Sequence, residues 1–239
     1  LTEPRVLVDY LQNWFLPKLY TTGVFQDHVI KSTGLTAPLT TLPSILFHVL
    51  IISLAIAKRR RWPLFAFATL FFYVSHSLES TVVNLELYFE HRNYLAAAFL
   101  FLPLVSWLQG RVTQDRLALV AVAVLLLLGA FTRYSAGIWA EYSSMVTASA
   151  NKAPTSIRAQ ADRAKALFKD RRYEESLQVI DAAIARIPPP QPHLLVMRQM
   201  MLCSLGISKT EDFDDTARQL AGTPYDPRLN DIYLEFVTA

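Results

Sequence analysis

The chain has 239 residues, of which 52% are hydrophobic and only 18% charged, and its net charge is +3. Soluble domains carry about 25% charged residues, so the low and uneven charge points to two solvents for one chain, lipid first and water later, and the small positive balance does not argue for a nucleic-acid partner. The single cysteine, Cys203, excludes an intrachain disulfide and reads as a buried thiol in an apolar helix.

The first residue is Leu1, and no basic start with a small-residue cleavage site follows it, so the chain reads as the later part of a longer membrane protein. The opening stretch, "LTEPRVLVDYLQNWFLPKLY", places Val6, Leu7, Tyr10, Leu11, Trp14 and Phe15 at helical spacing. Thr2 is placed to cap this amphipathic helix, Pro4 suits its first turn and Pro17 stops it. The helix is expected along the outer membrane face or against a bundle. "TTGVFQDHVIKSTGLTAP" reads as an outer loop, with Asp27 and His28 first as solvated residues and only second as substrate contacts.

Four apolar runs follow, and a hydrocarbon core of about 30 Å needs roughly 20 residues per crossing. They cover about Leu39–Ala57, with His48 in mid-run, then Trp62–Leu78, Tyr94–Leu108 and Leu117–Phe131, the last continuing as helix through Trp139. The second and third reach spanning length only if their flanks continue the helix. Lysine and arginine in short loops set orientation. "KRRRW" (Lys58–Trp62) and "QGRVTQDR", with Arg111 and Arg116, are therefore expected on the cytoplasmic side. The loop 79–94 and both ends of the chain then lie outside.

From about Asn151 the sequence looks water-soluble. Ala161, Ala164, Leu167 and Phe168 mark one helix, a tight turn falls near Lys169–Arg172, and Leu177, Ile180, Ala183, Ile184 and Ile187 mark a second. Tyr173, Ser176, Ile180, Ala183 and Pro188 fall at the spacing of a tetratricopeptide second helix, with Ser176 in place of the usual alanine and Ala164 where glycine is common. "QPHLLVMRQMMLCSLG" and "TEDFDDTARQLAG" form a further pair, "DPRLNDIYLEF" is a further start, and Met200 and Met201 read as core. The expected fold is all-α: a transmembrane bundle of about four crossings (39–140), preceded by an outer helix and loop (1–38) and followed by a small tetratricopeptide-like domain (151–239).

Between the second and third runs lies "ESTVVNLELYFEHRNYL". Ionisable groups beside lipid point to a functional site by default. A helix continued outward from the second run puts Glu79, Glu86 and Glu90 near one face, with His76 three residues before Glu79, whereas a break near Ser80 and Thr81 turns the chain back into the membrane. Arg92 is a fixed fork suited to phosphate or carboxylate, His91 donates to phosphate or relays a proton, and Asn93 and Tyr94 suit sugar hydroxyls. The same residues suit an ion-pair network that anchors a loop. No cofactor is assigned; the three carboxylates leave a divalent metal open.

"LESTVVNLELYFEHRNYLAAA" and "LTEPRVLVDYLQNWFLP" resemble segments of bacterial membrane proteins with C-terminal tetratricopeptide repeats, with Asn84 and Ala96 where that pattern has proline. Those proteins are similar to the transmembrane-and-tetratricopeptide O-mannosyltransferases, and so to the GT-C glycosyltransferases. The resemblance implies the C-terminal part of a bacterial inner-membrane, multi-pass glycosyltransferase. Its donor would be a polyprenyl-phosphate sugar and its acceptor a protein or peptide presented by the repeats. The loop 79–94 and the repeats would be periplasmic. A GT-C catalytic carboxylate would lie upstream of Leu1, so no catalytic residue is assigned within this chain. Arg92 and His91 would face the lipid phosphate, with Glu90, Asn93 and Tyr94 around it. Two other readings stand: a non-enzymatic membrane-anchored scaffold for envelope or pilus assembly, and an O-antigen ligase-like enzyme.

Overall fold

Apolar residues at helical spacing become helices throughout the computed structural model, which describes residues 1–16, 25–27, 29–81 (without the side chains of 78–81), 88, 93–221, 223 and 229. Among the described residues there are eleven α-helices and no strand, with one isolated bridge between Gly34 and Ala37. The chain divides into two units: Leu1–Leu19 with Val29–Ser135, and Tyr20–His28 with Ala136–Ala239.

In unit 1 the amphipathic opening forms α1 (Glu3–Phe15), which buries Val6, Leu7 and Tyr10. Its last helical residue is followed by Leu16 at φ −129°, ψ 75°, outside the α region that a following proline disfavours. Thr2 holds the N-cap position, but its side chain does not cap the helix. The hydroxyl accepts instead from the Ser32 backbone N–H at 2.9 Å, and Arg5 donates to the Ile30 carbonyl at 2.7 Å, so residues 30–32 are tied to the start of α1.

The first apolar run is α2 (Thr41–Lys58), the second begins α3 (Pro63–Thr81), and the fourth is α6 (Gln114–Trp139), continuous through Trp139 as expected. The third run is not one helix. It breaks into α4 (Asn93–Ala97) and α5 (Leu102–Gln109). Pro103 explains the break: it has no N–H for the Phe99 carbonyl and its ring crowds that carbonyl. Phe99 accepts from Leu102 instead, a tighter bond at 3.1 Å. α1 packs on α2, α2 on α3, and α3 on both α4 and α5. The core joins Val6, Leu7, Tyr10, Phe72, Tyr88 and Ala96.

Among the described residues two helices are long and apolar enough to cross a membrane, α2 and α6. At 1.5 Å per residue, α6 is ~39 Å long, more than the ~30 Å required. No residue of α6 is buried. An apolar helix exposed on every side is unstable in water and suits lipid.

In unit 2, α7 (Tyr142–Lys152) lies in a stretch where no element was expected. It packs on α8 (Ile157–Lys169), burying Val146 and Ala150 with Phe25, Ala159 and Ala166. α8 pairs with α9 (Tyr173–Arg186), α9 with α10 (Pro192–Ser204), and α10 with α11 (Thr210–Leu220). Ala161, Ala164, Ile180, Ala183, Leu194, Met197 and Met201 form the second core of this unit, so Met201 is core. Small residues at the α8–α9 contact let the backbones approach: Ser176, fully buried, donates its hydroxyl to the Ala164 carbonyl at 2.7 Å. Cys203 is exposed rather than buried, because α10 turns Met201 and Leu202 inward.

Two helices of this unit end alike. In α10, Ile207 N–H bonds the Leu202 carbonyl and Gly206 N–H bonds the Cys203 carbonyl, with Gly206 at φ +67°. In α8, Arg172 N–H bonds the Leu167 carbonyl and Arg171 N–H the Phe168 carbonyl, with Arg171 at φ +60°. Both are Schellman endings, but the second puts a side chain where glycine is favoured.

Candidate functional site

The polar edge of α1 comes to lie against Tyr88, which falls between α3 and α4 in the chain. Asp9 and Asn13 are four residues apart and therefore share a face. Tyr88, buried, donates its hydroxyl to Asp9 Oδ2 at 2.9 Å and accepts from Asn13 Nδ2 at 3.0 Å. Its ring meets Tyr10 at 4.9 Å between centroids. Tyr10 in turn stacks on His76 of α3 at 5.6 Å, and Phe72 meets the same imidazole edge-on at 4.6 Å. His76 is buried, and its Nε2 faces Asn93 Oδ1 at 3.2 Å. An amide oxygen only accepts, so Nε2 carries the proton. Asn93, the first residue of α4, is buried.

A carboxylate, a phenol, two amides and an imidazole thus meet at one end of α3, where side chains from α1, α3 and α4 converge with Tyr88. Such a group binds hydroxyl-rich or anionic headgroups by hydrogen bonds, and it also rigidifies a loop. Asn13 Oδ1 is buried and has no hydrogen-bond partner among the described residues.

Of the residues singled out in the sequence, Asn93 lies inside this cluster. Tyr94 does not: it is 67% exposed and meets Trp14 edge-on at 5.9 Å, beside Phe101. Glu79 lies on the last turns of α3, with its side chain outside the described residues. Glu86, Glu90, His91 and Arg92 lie outside the described residues altogether, as does His28. Among the described residues no three His, Cys, Asp or Glu side chains gather as a metal-binding group.

Asp27 has a structural role. Its Oδ1 accepts from the Ser156 hydroxyl at 2.5 Å and its Oδ2 accepts from Arg158 N–H at 3.3 Å. Ser156 Oγ in turn accepts from Ala159 N–H at 3.0 Å. A carboxylate at the first turn of α8 satisfies orphan donors and complements the helix dipole. His48, the mid-run histidine of α2, is also structural. Its Nε2 donates to the Pro4 carbonyl at 2.7 Å, which leaves Nδ1 to accept from the Tyr73 hydroxyl at 2.6 Å. One imidazole thereby pins the start of α1 to α2 and α3.

Sequence reasoning placed His76 near Glu79 but missed Asp9, Asn13 and Tyr88. The available signal was a polar pair, four residues apart, flanking the buried Tyr10. No family model matches the chain, and comparison with curated proteins and with solved structures yields no match.

Proposed function

We propose that the chain is the C-terminal part of a GT-C-like membrane glycosyltransferase, and that the end of unit 1 bearing Tyr88 and Asn93 is the side of its site that receives a polyprenyl phosphate. One observation carries this reading. A polar cluster of buried Tyr88, His76 and Asn93 with half-buried Asp9 and Asn13 sits in a unit whose α2 and α6 surfaces are apolar and exposed. A lipid-linked sugar needs that combination: apolar surface for the chain and hydrogen-bonding groups for the head. Tyr88 and Asn93 flank Phe89–Arg92, and both are buried and hydrogen-bonded. Arg92 and His91 are the proposed phosphate contacts, with Glu79, Glu86 and Glu90 around them.

The proposed setting is a bacterial inner membrane crossed about four times, with segment 79–94 and unit 2 outside. The cationic α2–α3 and α5–α6 turns support that orientation. Transfer of labelled sugar from a polyprenyl-phosphate donor, in membranes holding the full-length protein, tests the transferase reading. Arg92→Ala should abolish transfer and leave membrane insertion intact; unchanged transfer removes Arg92 from the site.

A specific observation favours a second reading, a non-enzymatic scaffold. The successive helix pairs from α8 to α11, with Ala164, Ser176 and Ala183 at the closest contact, suit a tetratricopeptide-like binding array. No transfer from any of several donors, with partner capture by the full-length protein lost on deletion of α8–α11, would favour it.

A further inference from the structure

Two turns of unit 1 come to the same end of its helices. The chain from Asn93 to Phe99 runs antiparallel to α3, and α5 packs on α3 after it: His76 meets Asn93, while Phe67 and Phe71 meet Phe99 at 5.0 and 4.8 Å between ring centroids. α5 continues along α3, and eight residues of helix climb ~12 Å. The turn after α5 is therefore directed towards the end of α3 that begins at Pro63, the end at which the turn after α2 also lies. This is the opposite end of α3 from His76.

The charge at this end is one-sided. Lys58–Arg61 are four consecutive exposed cations, and Arg111 and Arg116 are exposed as well. Asp115 is the single carboxylate within these two turns. Among the described residues no carboxylate forms an ion pair with any of the six cations. Arg59 reaches back to the Ile56 carbonyl at 2.8 Å, and Arg111 lies 4.7 Å over the Trp107 ring. Trp62 and Trp107 are both exposed here, where indoles favour a membrane–water interface. Directly beyond the cations the surface is exposed leucine, isoleucine and valine of α2 and α6.

We propose that the α2–α3 and α5–α6 turns together form a seat for anionic phospholipid headgroups. Cations alone would suit any polyanion. Cations ringed by exposed indoles and continuous with exposed apolar helix match a molecule that is anionic at one end and hydrocarbon at the other. A water-borne acidic peptide or nucleic acid would leave the indoles and the apolar surface uncovered. The proposal needs α2 and α6 in a bilayer but does not depend on sugar transfer, whose site lies at the other end of α3.

The test is lipid retention by the full chain, equilibrated with mixed micelles holding equal phosphatidylglycerol and phosphatidylcholine and analysed by native mass spectrometry. Phosphatidylglycerol should be retained over phosphatidylcholine by roughly tenfold or more. Replacing Arg59, Arg60, Arg61, Arg111 and Arg116 by glutamine should bring the ratio towards parity, and lysine at the same positions should keep it. Should the glutamine variant not insert, salt decides on the unaltered protein: the preference should collapse near ~1 M, where screening reaches within ~3 Å. Equal retention of the two lipids, or a preference that survives both glutamine and salt, would overturn the seat. Arg92→Ala should leave the ratio unchanged, which keeps this result separate from the transferase test.

Discussion

Tyr88 holds two groups of α1 with one hydroxyl, donating to Asp9 and accepting from Asn13, while its ring covers Tyr10. Tyr88→Phe keeps the ring and removes both bonds, and the Asp9 bond is charge-assisted. The loss should cost about 1–3 kcal/mol, read as a lower midpoint in thermal unfolding of the detergent-solubilised protein. An unchanged midpoint would mean that the cluster does not hold α1 in place. The need for Tyr88 was not legible beforehand, because the polar edge of an amphipathic helix ordinarily faces water. What turns Asp9 and Asn13 inward is a tertiary contact with a residue 79 and 75 positions away, and no local pattern encodes that. Asn93 and Tyr94 make the same point. Adjacent polar residues read as one sugar-binding pair, but as the first two residues of α4 they point in different directions, one into the cluster and one outward.

At the scale of elements, Arg171 carries a strain that its fold position imposes. It sits at φ +60° because the α8–α9 turn closes as a Schellman ending, and α10 solves the same problem with Gly206. An L side chain in the left-handed region costs roughly 1–2 kcal/mol, partly offset on replacement by the greater unfolded-state freedom of glycine. Arg171→Gly should therefore stabilise unit 2 by about 1 kcal/mol, seen as a raised unfolding midpoint, and the exposed guanidinium takes no part in the turn's hydrogen bonds. The positions of α8 to α11 were legible from apolar periodicity and, after α9, from the proline run Pro188–Pro190. α7 was not, because its buried face is Val146, Ser149 and Ala150, too small and polar a stripe to register as amphipathic. The break in the third apolar run had a visible cause, Pro103, that the hydropathy of the whole run masked.

On the scale of the whole molecule, composition separates an apolar stretch from a polar one, and the exposed surface follows that separation. α6 buries none of its residues, whereas α8 to α10 bury alanine, leucine, isoleucine and methionine. The number of crossings is less legible. Length and composition single out α2 and α6, while Pro63–Ser77 of α3 and the broken α4–α5 stretch Asn93–Gln109 are apolar but shorter. Leu126 lies at the middle of α6 and is exposed. Leu126→Arg should raise the cost of insertion by about 2.5–3.5 kcal/mol, measured as a larger fraction released from membranes at alkaline pH. Release no greater than for the unaltered protein would argue against α6 as a crossing.

Asp27 and Ser156, the pair at the first turn of α8, lie 129 positions apart in the chain. Ribosomes add roughly 5–20 residues per second, so Asp27 leaves the peptidyl-transferase centre some ~6–26 seconds before the serine it will bond is made. Phe25 waits equally long for Val146 and Ala159. During that interval the apolar segments between them are synthesised and must be dealt with by the cell. Unit 2 therefore cannot be completed by its own consecutive residues. Its maturation has to await the delivery, to one place, of two pieces of polypeptide born at different times.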